Sequence, residues 1–291
     1  MSDYESLELV QGDEELRAIA LTMRRLAVEA GLATLRFFRK ADLRIDAKPD
    51  DSPVTEADLT ADKLIADGLS AAHPDVTVIT EERSTGFSGL LGAGARRLFM
   101  VDPLDGTKEF ISGRGEYTVN IALIENGSPL LGAVYAPALD RLFWTPDPDF
   151  AIEEQGGVQA ETIGPQRRLW VAEADNAAMR VVASRSHRDP ETDGFLEAFS
   201  VAKLESAGSS LKFCLLACGE ADLYPRLGRT MAWDTAAAHA VLRASGGMVR
   251  RLGEDGAVEE PLRYGSGQLV GPPFSNPHFV AFTPSVRFPK R

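Results

Sequence analysis

Two short apolar runs in this chain each end in acid. VTVIT at 76–80 stops at Glu81-Glu82, and LFMV at 98–101 stops at Asp102-Pro103-Leu104-Asp105-Gly106-Thr107. Apolar runs of this length bounded by turn residues read as buried strands. A carboxylate at the tip of such a strand is held rigidly, yet its charge is costly unless a cation meets it. Glu81, Asp102 and Asp105 converging there would be the chemistry of a hard, oxygen-ligated ion such as Mg²⁺. Pro103 removes a donor and fixes φ, so the Leu104 carbonyl can turn inward as a further hard ligand. Gly106 permits close backbone approach, and its N–H with that of Thr107 can hold an anionic oxygen. Each piece alone is weak: Asp-Pro-x-Asp-Gly is a turn sequence, and Glu81-Glu82 a solvated strand end. Their combination between positions 81 and 105 is harder to dismiss.

Around these runs, helical and strand patterns alternate. From Asp13 to about Lys40, Leu16, Ile19, Ala20, Met23, Leu26, Ala27 and Ala30 follow the three-and-four spacing of an amphipathic helix, behind an acidic tail. DAKPDDSPVT reads as a turn-rich loop, and Glu56 to Ser70 returns to helical spacing. The Gly/Ser-rich stretch from Ser84 to Ala95 is a lid candidate. VNIALIE and LLGAVYAP form a hairpin through Asn126-Gly127, a strong turn signal. Residues 147–180 are mixed and polar and read as a variable connection. VVASRS at 181–186 is strand-like, and helices are expected from about Ser209 to Gly219 and from about Asp234 to Ser245, the latter stopped by Gly246-Gly247. The interleaving predicts a layered α/β or α+β fold, divided into 1–165, carrying the acidic loop, and 166–291, carrying the later helices.

With 291 residues the chain buries a sizeable core without staples. Its net charge of −12 disfavours nucleic acid or an anionic membrane as partner. A small anionic ligand remains compatible if something positive mediates. No apolar window is long enough to span a membrane, and the N-terminal residues lack the pattern of a signal peptide. Cys214 and Cys218 read as small apolar side chains rather than a metal pair, which would need more ligands nearby. A cytoplasmic protein is expected.

Four separated segments carry a resemblance. Pro53-Val54-Thr55-Glu56-Ala57-Asp58, Glu81-Glu82, Asp102 through Ile111 (DPLDGTKEFI), and Met231-Ala232-Trp233-Asp234-Thr235-Ala236-Ala237 occur in one order and spacing. Together they resemble the lithium-sensitive, Mg²⁺-dependent phosphatase superfamily that includes inositol monophosphatase and fructose-1,6-bisphosphatase. GTKEFI, the segment GSSLKFCLLACGEADLYPRLG at 208–228 and SRSH at 184–187 look like its 3′(2′),5′-bisphosphate nucleotidase branch.

The resemblance implies an α-β-α-β-α sandwich and removal of the 3′-phosphate of 3′-phosphoadenosine 5′-phosphate, leaving AMP. It implies one Mg²⁺ held by Glu81, Asp102 and the Leu104 carbonyl and another by Asp102, Asp105 and Asp234, with about two or three ions per site. These ions would reverse the local sign for phosphate despite the acidic composition. Asp58 and Thr107 match an acid–hydroxyl pair that takes the proton of an attacking water, although Asp58 also suits a helix N-cap. Gly106, Thr107, His187, Ser209, Lys212, Arg226 and Asp234 would contact substrate. Trp233 reads as a core or wall residue, and Lys108 and Glu109 carry no catalytic step. An inositol-phosphate or sugar-bisphosphate phosphatase is the enzyme alternative, and a non-catalytic phosphate- or nucleotide-sensing module the third. The branch implies a monomer or homodimer and a place in sulfate assimilation.

Overall fold

The computed structural model describes residues 13–48, 52–84, 96–184, 190–264 and 274–289. The acidic tail before Asp13, the lid candidate beyond Ser84 and His187 lie outside the described residues. The first helix, α1 (Glu14–Leu35), starts where the Asp13 carboxylate accepts from the N–H groups of Glu15 and Leu16. It stops short of Lys40 because the chain turns to pack Phe38 against Phe110 and Tyr117, with Arg39 at φ 61°.

The expected loop at 46–55 instead includes a small antiparallel pair, β1 (Ile45–Ala47) with β2 (Pro53–Thr55). Three-residue strands are too short to show a period of two. β2 leads straight into α2 (Glu56–Ala72) through a capping box: the Thr55 hydroxyl accepts from Ala57 N–H and the Asp58 carboxylate accepts from Thr55 N–H. Asp58 is therefore the third residue of the helix, not its cap.

A seven-stranded sheet follows in chain order: β3 (Thr77–Thr80), β4 (Arg97–Asp105), β5 (Thr118–Glu125), β6 (Ser128–Ala136), β7 (Arg141–Asp147), β8 (Phe150–Gln155) and β9 (Gln166–Arg168). The short helix α3 (Thr107–Ile111) separates β4 from β5. β3 runs parallel to β4 and every later pair is antiparallel. The hairpin turns at Asn126 and Gly127, with φ 50° and 77°, the left-handed geometry a two-residue loop requires.

The supposed connection at 147–180 holds β8 and β9. Its strand signal is hidden by charge: Glu153 and Glu154 in β8 are fully buried. Arg24 forks onto Glu154 at 2.7 Å through Nε and Nη2, and Arg141 and Arg167 grip Glu153. Sheet membership changes between Arg168 and Met179, so β9 carries the first sheet just past the 165/166 division.

The second sheet has six strands: β10 (Met179–Ser184), β11 (Val201–Ala207), β12 (Leu223–Arg226), β13 (Met248–Leu252), β14 (Val258–Pro261) and β15 (Phe279–Phe282), in the order β11-β10-β12-β15-β13-β14. With it come α4 (Pro190–Leu196), α5 (Leu211–Ala217) and α6 (Ala232–Ala244).

Three apolar clusters define five layers. Leu16, Met23 and Leu26 of α1 and Ile65 of α2 meet Phe99, Val101 and Ile121 on one face of the first sheet. Leu98, Met100 and Ile124 on its other face meet α5, α6 and the inner face of the second sheet, including Tyr224 and Phe279. Phe195 and Leu196 of α4 cover that sheet's outer face at Val181 and Val280. The order is helix, sheet, helix, sheet, helix. LFMV is apolar throughout because both faces of β4 are covered.

α6 lies very close to the first sheet: a Cβ on Gly132 of β6 would stand 2.1 Å from the Ala237 carbonyl oxygen. The alanine-rich sequence of α6 and this glycine let the two backbones meet. Among the described residues, no helix is long and apolar enough to cross a membrane.

Candidate active site

Because β3 and β4 are parallel, with Thr80 beside Val101, Glu81 and Asp102 emerge at the same sheet edge. Residues 102 and 105 would point to opposite faces of a regular strand. The β4–β5 ladder pairs Asp102 with Asn120 and Asp105 with Thr118, three steps against two, so β4 bulges by one residue. That bulge brings the two carboxylates to one side. Asp234 arrives from the other half as the third residue of α6, the helix brought close by Gly132.

A cleft of about 590 Å³ lies at this junction. Glu81, Asp105, Gly106, Thr107, Ser209, Lys212, Trp233, Arg226 and Asp234 line it, so both halves of the chain contribute. Asp102 is 1% exposed behind the wall. Burial first, then the charges of Glu81, Asp105 and Asp234, push its carboxyl well above the usual range. Asp234 is raised likewise by burial and then Asp105, and burial holds Asp105 at about 6 although Lys212 pulls it down.

Among the described residues, no three acidic, histidine or cysteine side chains form a ready-made cation cage. Several carboxyls have found donors within the protein instead. Asp102 Oδ1 accepts from Leu104 N–H at 3.0 Å and Asp234 Oδ2 from Met231 N–H at 2.8 Å. Glu81 and Glu82 each take Lys48 Nζ at 2.6 Å. Burial lowers the affinity of Lys48 for its proton, yet Glu81 and Glu82 together leave it raised. The donor set still fits a hard divalent cation: four carboxyls share one electrostatic field, burial raises the pKa of three of them, and every candidate ligand is oxygen.

Beside this wall, Thr107 Oγ1 donates to Asp58 Oδ1 at 3.2 Å. The other Asp58 oxygen accepts from Thr55 N–H at 2.9 Å and Thr55 Oγ1 at 2.5 Å, which fixes the carboxylate and leaves Oδ1 for Thr107. Burial raises the Asp58 pKa, against the Thr55 hydrogen bonds. Leu104 C=O lies 3.4 Å from the same Thr107 hydroxyl. Gly106 sits at φ 93°, and a Cβ there would be 3.5 Å from Ser209 Cβ, so the acidic loop and the Ser209 turn are in contact.

Ser209 is itself held at φ 46°, with its buried hydroxyl oxygen lacking a hydrogen-bond partner. Lys212 is buried, and its Nζ donates to the Ser209 and Ala207 carbonyls. Burial lowers its pKa to about 8, opposed by Asp105. Arg226, at the end of β12, donates to Arg229 C=O at 2.7 Å. Trp233 packs on Phe274 as a wall residue. Sequence reasoning missed Lys48, Asn120 and Ser210. A lone lysine in an Asp-rich loop has no signature, and Asn120 hides inside an apolar strand. Only Ser210 had a signal, its place in the Gly-Ser-Ser-Leu-Lys segment.

A model of the inositol monophosphatase family matches residues 14–279. The chain is 43% identical over 226 residues to the 3′(2′),5′-bisphosphate nucleotidase CysQ of Escherichia coli (strain K12), covering 77% of this chain and 87% of that one. Identity to the CysQ of Buchnera aphidicola is 41% over 227 residues, 78% of this chain and 82% of the other. The crystal structure of CysQ from Bacteroides thetaiotaomicron is similar with a TM-score of 0.77 at 33% identity, over 93% of this chain and 99% of that one. The parallel β3–β4 edge, the bulge at Asp102–Asp105 and the five-layer order thus belong with a matching family model and with these relatives: the chain is a member of the inositol monophosphatase family.

Proposed function

We propose that this chain is a Mg²⁺-dependent phosphomonoesterase that removes the 3′-phosphate of 3′-phosphoadenosine 5′-phosphate, giving AMP and phosphate. One observation carries the reading: a single cleft is lined by Glu81, Asp105 and Asp234, by the Asp58-bound Thr107, and by Lys212 and Arg226. The CysQ relatives support the choice of substrate. The two free thiols, Cys214 and Cys218, accord with a reducing, cytoplasmic setting.

In this reading Glu81, Asp102 and the Leu104 carbonyl hold one Mg²⁺, and Asp102, Asp105 and Asp234 hold another. The bound cation supplies charge neutralisation at the phosphate and acidifies water. Thr107 Oγ1 takes a proton from the attacking water as its own proton passes to Asp58 Oδ1. The water oxygen bonds to phosphorus, the ester P–O bond breaks, and the ribose oxygen leaves with a proton from solvent. The N–H groups of Gly106 and Thr107 orient the reacting phosphate, while Ser209, Lys212 and Arg226 receive the uncleaved one. His187 joins them in this proposal on the resemblance alone.

The test is parallel hydrolysis of 3′-phosphoadenosine 5′-phosphate, inositol 1-phosphate and fructose 1,6-bisphosphate, with Mg²⁺ and with chelator. The nucleotide should be preferred and chelator should stop turnover. Inositol phosphate cleaved faster by orders of magnitude would overturn the substrate, and chelator-insensitive activity would overturn the metal.

Lys212→Ala should raise KM for the bisphosphate about 10–100-fold with little change in kcat, the worth of one charge-assisted hydrogen bond. Only the ammonium form attracts phosphate. With Lys212 at about 8, wild-type KM should rise as pH climbs through that value, and the variant should lose this limb. An equal loss of kcat on every substrate would contradict the assignment.

A further inference from the structure

Asp105 and Asp234 come from different halves of the chain, so their separation depends on whatever ties those halves together. Asn120 of β5 is fully buried and stands opposite Asp102 in the ladder. Its Nδ2 donates to Ser210 Oγ at 3.0 Å and lies 3.5 Å from Asp105 Oδ2. Ser210, 1% exposed, donates through Oγ to the Asp234 carbonyl oxygen at 2.5 Å. It also lies beside the Asp105 carboxyl, where its backbone and side chain lower that group's affinity for a proton. The carbonyl oxygen of the Asn120 side chain has no hydrogen-bond partner. The amide is therefore oriented by its donor end, which faces the acids; the flipped amide would put oxygen against oxygen. Ser210 Oγ accepts from Asn120, which leaves its single proton for an acceptor at the site. The chain of bonds runs in one direction, from the first sheet through the Ser209–Ser210 turn to α6.

We propose that Asn120 and Ser210 are positioning residues: a buried amide–hydroxyl clip that sets Asp105 against Asp234 so that both can face one divalent cation. This rests on the reading of those carboxyls as cation ligands. Groups that orient metal ligands in this way are commonly worth about 10–100-fold in metal affinity.

The experiment is calorimetric titration of Mg²⁺ alone into wild type, Asn120→Ala, Ser210→Ala and the double variant, with melting in chelator and substrate KM at saturating Mg²⁺. Each single variant should weaken Mg²⁺ binding about 10–100-fold. The double variant should bind about as weakly as the worse single, because the two residues form one link. KM at saturating Mg²⁺ should not change. Unchanged Mg²⁺ affinity, or losses that multiply in the double variant, would overturn the clip. So would a raised KM in Ser210→Ala with normal Mg²⁺ binding, which would make Ser210 a substrate contact. If Ser210→Ala does not fold, Asn120→Ala and the milder Asn120→Ser decide through the same affinity. A wild-type chain that binds no Mg²⁺ would sink the metal reading and the clip together; normal wild-type binding with unaffected variants sinks the clip alone.

Discussion

Asp102→Asn is expected to lower kcat about 10³-fold, some 4 kcal/mol of transition-state stabilisation, while leaving a folded protein. Asparagine keeps the shape and an oxygen able to accept from Leu104 N–H, the bond Asp102 makes at 3.0 Å. What it removes is a charge shared, in the proposed site, between two cation positions. A second effect has the opposite sign. Burial and the neighbouring Glu81, Asp105 and Asp234 raise the Asp102 pKa above its ordinary 3.8, so the folded chain holds this proton more readily than the unfolded one. The chelated wild type therefore loses stability as pH rises from about that ordinary value through the raised one. At neutral pH the neutral amide should melt higher than the chelated wild type, yet gain less from added Mg²⁺. Melting curves in chelator and in Mg²⁺, beside kcat, check both halves. Near-normal turnover, or a lower melting point with an undiminished Mg²⁺ response, would show that Asp102 is not a ligand.

Thr107→Val should lower kcat by about 10²–10⁴ with KM little changed, because valine matches the shape and removes the hydroxyl that hands a proton to Asp58. Asp58→Asn should cost a similar factor, and the pair together no more than the worse single, since the two act as one acid–hydroxyl unit. The pH profile is the sharper readout. Asp58 must be ionised to accept a proton, and burial raises its pKa, so wild-type kcat should fall on the acid side at a higher pH than an ordinary aspartate would give. Thr107→Val should flatten that limb. Additive losses, or an acid limb unchanged in Thr107→Val, would remove Asp58 and Thr107 from the proton path.

Much of the architecture was legible along the chain. The Asn126-Gly127 turn, the spacing of α1 and α2 and the glycine stop after α6 each express a local preference that the tertiary fold did not overrule. β8 was hidden for the converse reason. Glu153 and Glu154 look solvated in sequence, and only Arg24, Arg141 and Arg167, brought from elsewhere in the chain, make their burial tolerable. The candidate site divides in the same way. Glu81, Asp102, Asp105, Asp58 and Thr107 sit in recognisable segments, whereas Lys48, Asn120 and Ser210 matter through partners 15 to 90 residues away.

The sequence by itself determined most of the longer elements and which residue types stand at their ends: carboxylates after β3 and within β4, and an aspartate near the start of α6. Periodicity, caps and turns act within a few residues, so they can be read along the chain. Tertiary structure alone decided whether those residues share one cleft. It did so through the parallel pairing of β3 with β4, the one-residue bulge between Asp102 and Asp105, and the close seat of Ala237 on Gly132. The physical reason is that a carboxylate's chemistry depends on its field and its dielectric. Asp102, Asp105 and Asp234 acquire theirs only when two sheets and a helix close around them.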